Sequence, residues 1–303
     1  MFKNRTKLLL PLILILALAL SACGKSNEEA SSGETITYQS ESGPVVVPAH
    51  PQRVVVLTSY VGSVIQLGVN MVGVDSWSKS NPRFEEQLKD VAEVSDDNLE
   101  KIIELKPDLI IGSDSTKNLD KLKEIAPTVA YTYNKVDYLT QFVEIGKLLN
   151  KEKEAQAWVD DFKARAAKAG EEIKAKIGAD KTVSVIENYD KNLYVFGDAW
   201  GRGTEILYQA MGLAMPQKVK EMTEKAGWYE LSAEVVPDYM GDYVIFSKDA
   251  NGDSSFQQTN TYKNTPAASN NHVLEVDAQG FYFNDASTLD YQLDLFTKFF
   301  LGQ

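Results

Sequence analysis

From Val45 onward, short runs of β-branched and aliphatic residues alternate with stretches whose apolar residues recur every three or four positions. In the first half the pattern predicts strands over VVVL (54–57), VGV (72–74), LII (109–111) and TVAY (128–131). Helical patterns lie between them at 62–68, 84–89, 98–105 and 119–125. Strands separated by helices pair in parallel through right-handed crossovers. The second half is expected to repeat the arrangement with TVSVI (182–186), LYVF (193–196), YVIF (243–246) and VLEV (273–276). Between the halves, residues 151–178 are rich in Ala, Lys and Glu, contain no proline and end on Gly178, the pattern of one capped helix. Trp158 and Phe162 are four residues apart on that helix, so they are expected to pack against a lobe. The chain thus reads as an α/β protein of two lobes, each with a mainly parallel sheet flanked by helices, joined by one long α-helix. The N-terminal lobe covers 45–150, the linking helix 151–178 and the C-terminal lobe 179–303.

Ahead of Val45 the pattern changes. Lys3, Arg5 and Lys7 precede an apolar run from Leu8 to Leu20, and LSAC follows, ending at Cys23. A basic head, a short apolar core and small residues at the exit form a secretory signal, too short to span a bilayer comfortably. A weak anchor that is never cleaved is the alternative. Cys23 stands where a lipoprotein signal places its cysteine, and it is the only cysteine in 303 residues, so an internal disulfide has no second thiol. Lipidation of Cys23 after cleavage of residues 1–22 supplies two or three acyl chains, enough for stable anchoring on the extracellular face of the cell membrane. Residues 23–44, polar and small, read as a flexible tether.

Removing residues 1–22 takes away three positive charges and no negative one, so a formal net charge of −12 becomes −15. So acidic a chain is poorly suited to nucleic acid, and none is expected as a partner. A monomer is expected.

Candidate chemistry enters at the strand ends, because open parallel sheets bind ligands outside the carboxyl ends of their strands. The residues there are Tyr60, Trp77, GSDST (112–116), Tyr133, Asn188 with Tyr189, Trp200 with Arg202, Tyr262 and FYFND (281–285). Tyrosines also cap strand ends half-buried, but an aromatic in nearly every loop of one rim points to a ligand. The loop GDAWGRG carries Gly197, Gly201 and Gly203, yet lacks the Gly-Lys-Ser/Thr ending of a phosphate loop, and Trp200 would obstruct a phosphate. Its glycines are read as freeing the backbone so that Trp200 and Arg202 project into a cleft. Arginine offers fixed donors for clustered oxygens and stacks on rings. A surface ion pair of Arg202 with Glu205 is the competing assignment.

Two histidines, His50 and His272, no thiol beyond Cys23 and no catalytic motif argue against a metal site and against catalysis. The halves also echo each other. Glu100 stands eight residues before Asp108 and an apolar strand; Glu234 stands eight before Asp242 and another.

The lipoprotein cysteine, PQRVVVL, LEKIIELKPDLII, the single linking helix and GDAWGRGTEILYQAMGL together resemble the periplasmic-binding-protein-like lipoproteins that deliver iron–siderophore complexes to ABC importers. GDAWGRG, KAGWYEL and FYFNDASTLD resemble the ferric hydroxamate-binding subgroup of Gram-positive bacteria. The resemblance implies a class III-type bilobed fold with little hinge closure and a ligand in a shallow groove between the lobes. It implies that Trp200 and Arg202 contact the siderophore, with Tyr194, Tyr133 and Tyr282, and more loosely Tyr60 and Tyr262, around it. It further implies that one glutamate per lobe docks on the transmembrane permease; the echo nominates Glu100 and Glu234, with Glu230 a neighbour of the latter. No cofactor is implied, since the siderophore itself ligates the iron.

Charge favours one siderophore class. Three hydroxamates neutralise ferric iron, whereas three catecholates leave a trianion that needs several cations around it. The chain after Cys23 has four arginines, of which only Arg202 lies at the rim. A ferric hydroxamate is therefore expected, with a catecholate, haem or cobalamin receptor as the alternative. An exported nucleotide-binding enzyme and a surface adhesin are the readings from other classes.

Overall fold

The structure, a computed structural model, describes residues 33–302 and opens on a two-stranded antiparallel hairpin, β1 (Thr35–Ser40) and β2 (Gly43–Pro48). The signal segment and Cys23 lie outside the described residues. The hairpin corrects the tether assignment over residues 35–44; residues 23–32 of it lie outside the described residues. Alternation buries Tyr38 and Val47 on one face, and Gly43, at φ +114°, makes the turn. Tyr38 donates its hydroxyl to Glu144 at 3.1 Å and accepts from Tyr131 at 3.2 Å, which seats the hairpin on the N-terminal lobe.

Five strands form the N-terminal sheet: β3 (Val54–Val56), β4 (Met71–Val74), β5 (Ala92–Glu93), β6 (Leu109–Ser113) and β7 (Thr128–Tyr131). Their order is β5-β4-β3-β6-β7 and every pairing is parallel. All three residues of β3 are buried, as expected of a central strand covered on both faces. The helices of this lobe are α1 (Val61–Gln66), α2 (Leu99–Glu104), α3 (Leu119–Ile125) and α4 (Tyr138–Leu148), with shorter turns between.

The long helix, α5, runs Glu152–Ile177 and ends at Gly178, at φ +107°. Its buried stripe is Ala155, Val159, Phe162, Ala166, Ala169, Gly170 and Ile173. Trp158 stacks on Phe162 with centroids 4.9 Å apart and meets Phe142 of α4 edge-on.

The C-terminal sheet comprises β8 (Val183–Tyr189), β9 (Asn192–Phe196), β10 (Trp228–Leu231), β11 (Tyr243–Lys248) and β12 (Val273–Asp277), in the order β10-β9-β8-β11-β12. β11 runs parallel to β8 and β12, but β9 is antiparallel to both its neighbours. The repeat of the first half's parallel arrangement stops at β9. Asp190, at φ +53°, and Lys191 alone separate the paired residues Tyr189 and Asn192, and so short a link admits a hairpin and no crossover. Helices α6 (Glu205–Ala210, π-wound), α7 (Gln217–Thr223) and α8 (Ala286–Leu301) complete the lobe.

One buried cluster runs from Val54 and Val56 of the first sheet through Val159, Phe162 and Ala166 of α5 to Val183 and Val185 of the second. Trp158 donates Nε1 to Asp290 of α8 at 2.8 Å, and α8 also packs on α1 of the opposite lobe. Two helices and a shared core therefore join the lobes. Close approach is built in at Gly170, where a Cβ would come within 2.1 Å of the Met211 carbonyl oxygen.

The two sheets place their central strands equivalently, β3 beside β6 and β8 beside β11. Asp108, just before β6, accepts from the backbone N–H of Gln52 and Arg53 at 2.7 and 2.9 Å, just before β3. Asp242, just before β11, accepts from the N–H of Thr182 at 2.9 Å, just before β8. The echo in the sequence is thus one device used twice, an aspartate pinning the start of the neighbouring strand.

Candidate functional site

The glycine loop follows β9. Gly201, Arg202 and Gly203 have φ of +68°, +57° and +87°, three successive left-handed residues. A Cβ on Gly201 would lie 2.2 Å from the carbonyl oxygen of Tyr282, and one on Gly203 would meet the Phe296 ring at 2.5 Å. These glycines let the loop press against the 281–283 segment, where Arg202 N–H donates to the Phe281 carbonyl at 2.9 Å. Arg202 itself bears the steric cost of its left-handed backbone, about 1–2 kcal/mol.

Glu205 holds the loop from beneath. Its buried carboxylate accepts from Gly201 N–H at 3.0 Å, the Thr204 hydroxyl at 3.0 Å and Asn284 Nδ2 at 2.9 Å. Burial pushes the Glu205 carboxyl up, and these hydrogen bonds oppose the rise. The surface pair of Arg202 with Glu205 does not form, because Glu205 is engaged inside the loop.

Arg202 is paired instead with Glu187 of β8. Nη2 donates to Oε1 at 3.0 Å and Nε to Oε2 at 3.1 Å, and Ser247 of β11 donates a third hydrogen bond to Oε2 at 2.6 Å. The side chains are 17% and 2% exposed. Nη1 donates to the Trp200 carbonyl at 3.2 Å, and the guanidinium carbon lies 4.8 Å from the Phe196 ring centroid and 4.7 Å from that of Tyr282. Of the five N–H groups of a guanidinium, three are thereby engaged, and one on each terminal nitrogen has no partner among the described residues.

Rings from both lobes surround this group. Tyr133, after β7, meets Trp200 edge-on at 6.2 Å, and Trp77, after β4, meets Tyr282 at 5.0 Å. Asn134 Nδ2 also reaches the Ala199 carbonyl across the crevice at 3.4 Å. Tyr194 lies directly opposite Glu187 in the β8–β9 register, so it shares the face of Arg202, and Trp228 of β10 abuts it edge-on at 5.6 Å. Burial, with the Glu187 and Asp249 charges nearby, pushes the Tyr282 hydroxyl up. The Tyr133 loop is held from outside as well: Glu41, in the turn of the β1–β2 hairpin, accepts from Thr132 N–H at 3.2 Å and Lys135 Nζ at 3.1 Å.

Trp200, Arg202, Tyr194, Tyr133 and Tyr282 thus come together. Tyr60 does not reach the rim. It is 7% exposed, edge-on to Tyr131 at 5.6 Å, and lines a cavity of about 20 Å³ beneath Tyr133 with Gln141 and Asn284. Tyr262 is on the wrong side of the sheet. It packs edge-on to Phe256 against the face carrying Ile186, Val244 and Phe246, whereas Glu187 and Ser247 point the other way. A position after a strand does not reveal which face the following loop will cover.

Glu187 and Trp228 belong to the site and were absent from the candidates, whereas Trp77 and Asn284 of FYFND stood among the strand-end residues without a role. Glu187 carried a readable signal, one acid inside the apolar run VSVIEN, since an acid in a buried strand requires a partner. Glu100, in the first turn of α2, and Glu234, in the turn after β10, are exposed. Glu230 instead lies within β10 opposite Tyr194, on the sheet face that carries Tyr194 and Glu187. Among the described residues no three His, Cys, Asp or Glu side chains are grouped to hold a metal ion.

Known proteins share this architecture. Residues 54–279 match the family model described as periplasmic binding protein. The chain is 37% identical to the iron(3+)-hydroxamate-binding protein FhuD of Bacillus subtilis (strain 168), over 94% of each chain, and 36% identical to that organism's iron(3+)-hydroxamate-binding protein YxeB, over 96% of this chain and 95% of the other. Among solved structures, FhuD2 from Staphylococcus aureus with bound ferrioxamine B aligns at a TM-score of 0.79 and 37% identity, covering 83% of this chain and 99% of that one. The FhuD protein from S. pseudintermedius aligns at a TM-score of 0.80 and 37% identity, covering 89% of this chain and 99% of that one. The chain belongs to the periplasmic binding protein family and is homologous to the FhuD iron(III)-hydroxamate-binding proteins.

Proposed function

We propose that this protein is a lipid-anchored receptor that captures iron(III)-hydroxamate siderophores in the inter-lobe groove and delivers them to the permease of an ABC importer. The observation that carries the reading is the pairing of Arg202. Its charge is cancelled by Glu187, yet one N–H remains on each of its terminal nitrogens, inside a ring of Trp200, Tyr282, Tyr133 and Tyr194. Clustered oxygens of an uncharged chelate suit such a floor: donors without net charge, and rings to cover the organic arms. Relatives named for iron(III)-hydroxamate binding support the ligand class. They are binding proteins, and the chain is a transport component rather than an enzyme. Iron is held by the siderophore, and the protein supplies no ligand to it.

Anchoring rests on Cys23 and the basic–apolar segment before it. Docking rests on Glu100 and Glu234. Both are exposed, and each stands eight residues before an aspartate that plays the same part in its own lobe. Each exposed ion pair with a permease arginine is worth about 0–1 kcal/mol, which suits a complex that must come apart after every delivery. The shared core and the two crossing helices support capture with little hinge closure. Titration with ferrioxamine B and ferrichrome, followed by tryptophan fluorescence, tests the reading, with haem and cobalamin as controls. Saturable quenching by the hydroxamates at micromolar ligand or below is expected. No quenching by either, or tighter binding of haem or cobalamin, overturns it.

A further inference from the structure

Among the described residues Arg202 is the one cation whose guanidinium lies on the groove face among the rings, and it does not act as a free positive charge. Glu187 meets it with two parallel hydrogen bonds of 3.0 and 3.1 Å, and Ser247 fixes the carboxylate from the next strand at 2.6 Å. β8 places Glu187 on the groove face through strand alternation, with Tyr194 directly across. The pair is not explained by stability alone, because two charges brought out of water together barely recover their desolvation and an apolar pair in their place would serve the fold about as well. Here the pair lies among the rings of the candidate site, and a ligand seated on the remaining N–H groups of Arg202 also feels the carboxylate held 3.0–3.1 Å from the same guanidinium.

We propose that Glu187 is the specificity-determining residue for ligand charge: it cancels Arg202, so the groove offers hydrogen-bond donors without net attraction for anions and admits uncharged ferric chelates over anionic ones. The inference rests on the reading of the groove as a chelate site. Without Glu187 the same arginine would present a full positive charge to a trianionic chelate in a half-buried setting, where Coulomb interactions exceed those in bulk water. With it, the ligand meets a dipole, whose field falls off faster with distance. The carboxylate also opposes an anion directly. Three of its roughly four hydrogen-bonding positions are taken, two by the arginine clamp and one by Ser247.

The test compares ferrichrome, whose iron centre is neutral, with a ferric tris-catecholate, a trianion, on the wild type and on Glu187→Gln. Dissociation constants come from fluorescence quenching at two salt concentrations, with melting curves to confirm folding. Wild type is expected to prefer the neutral chelate. The variant is expected to narrow that preference by at least about tenfold, the equivalent of about 1.4 kcal/mol, with the larger change at low salt. An acid that merely oriented Arg202 would weaken both chelates alike, so a preference unchanged within twofold in a folded variant overturns the proposal. Where the variant does not fold, the wild type decides: equal affinity for the two chelates overturns it, and preference for the neutral one upholds it. A wild type that binds neither chelate sinks the chelate reading itself, a different result from binding without charge preference.

Discussion

Asp285 allows a quantitative prediction at the lobe junction under the groove. It opens α8 as an N-cap, accepting from Thr288 N–H at 2.9 Å and the Thr288 hydroxyl at 2.8 Å, and it is 3% exposed. It also faces the other lobe. Gly62 of α1 comes so close that a Cβ there would collide with the carboxylate. Burial pushes the Asp285 carboxyl up from 3.8 to about 6, against the opposing pull of the Thr288 hydrogen bonds and the Arg83 charge. The sign follows from linkage. A folded-state pKa above the unfolded one means that the folded protein binds the proton more tightly, so this group's contribution to stability is full below about pH 4 and is lost as pH rises through 6. The difference between 3.8 and about 6, at roughly 1.4 kcal/mol per pH unit, amounts to about 3 kcal/mol.

Asp285→Asn removes the titration and leaves a comparable helix cap, since Asn and Asp rank together at that position. Urea unfolding of both proteins at pH 4, 5, 6 and 7 isolates the term, because every other titrating group cancels in the difference between them. The variant is expected to gain on the wild type by about 2.4 kcal/mol between pH 4 and pH 7, the rest of the roughly 3 kcal/mol lying below pH 4, with most of the change between 4 and 6. Any constant offset reports the exchanged hydrogen bonds and does not bear on the argument. A difference that stays flat across the series, or one that grows towards low pH, refutes the claim that burial governs this carboxyl.

Trp200→Ala removes the ring that meets Tyr133 across the groove and is expected to weaken ferrichrome binding by at least about 30-fold, the scale of a buried aromatic anchor, measured by calorimetry. An effect within threefold excludes Trp200 from the contact surface. Glu41→Ala unties the hairpin turn from the Tyr133 loop and is expected to cost about 1 kcal/mol of ligand affinity, roughly fivefold, with a melting temperature close to that of the wild type. Glu100→Arg and Glu234→Arg are expected to leave siderophore affinity unchanged and to abolish uptake of radiolabelled ferric hydroxamate by cells; undiminished uptake by the double variant refutes the docking assignment.

How much of this was legible before the structure depended on whether the relevant force was local. TVAY was read as a strand and is one, Thr128–Tyr131, because four apolar or β-branched residues between turn signals leave no competing element. Residues 151–178 were read as a helix and form one over Glu152–Ile177, since propensity, length and a terminal glycine agree. Residues 35–44 of the hairpin read as tether because that stretch is largely polar, and the hairpin's stability comes from Tyr38 reaching Tyr131 and Glu144, about a hundred residues away. β5 and β10 were missed for a related reason: two- and four-residue edge strands carry too little pattern and exist because a neighbouring strand offers an unpaired edge. The direction of β9 turned on Asp190 and Lys191, a pair without the Asn-Gly or Asp-Gly signature of a two-residue hairpin.

The site divides along the same line. Trp200 and Arg202 were legible because their loop contradicts itself, with glycines suited to a phosphate and a tryptophan that excludes one. Glu187 carried its own contradiction, an acid inside an aliphatic strand, but its partner lies 15 residues on and beyond a reversal of chain direction that the sequence did not disclose. Tyr262 failed because order along the chain says which end of a sheet a loop leaves and nothing about the face it covers. The echo between the lobes had a firmer basis than its few matching residues suggested. Asp108 and Asp242 each fasten the start of one central strand to the start of the next, so the sheet cannot shift register without breaking them. Glu100, in α2, and Glu234, in the turn after β10, each stand eight residues ahead of one of those fixed points, on lobes that share one core, and the two-point contact proposed for the permease would draw its rigidity from that core.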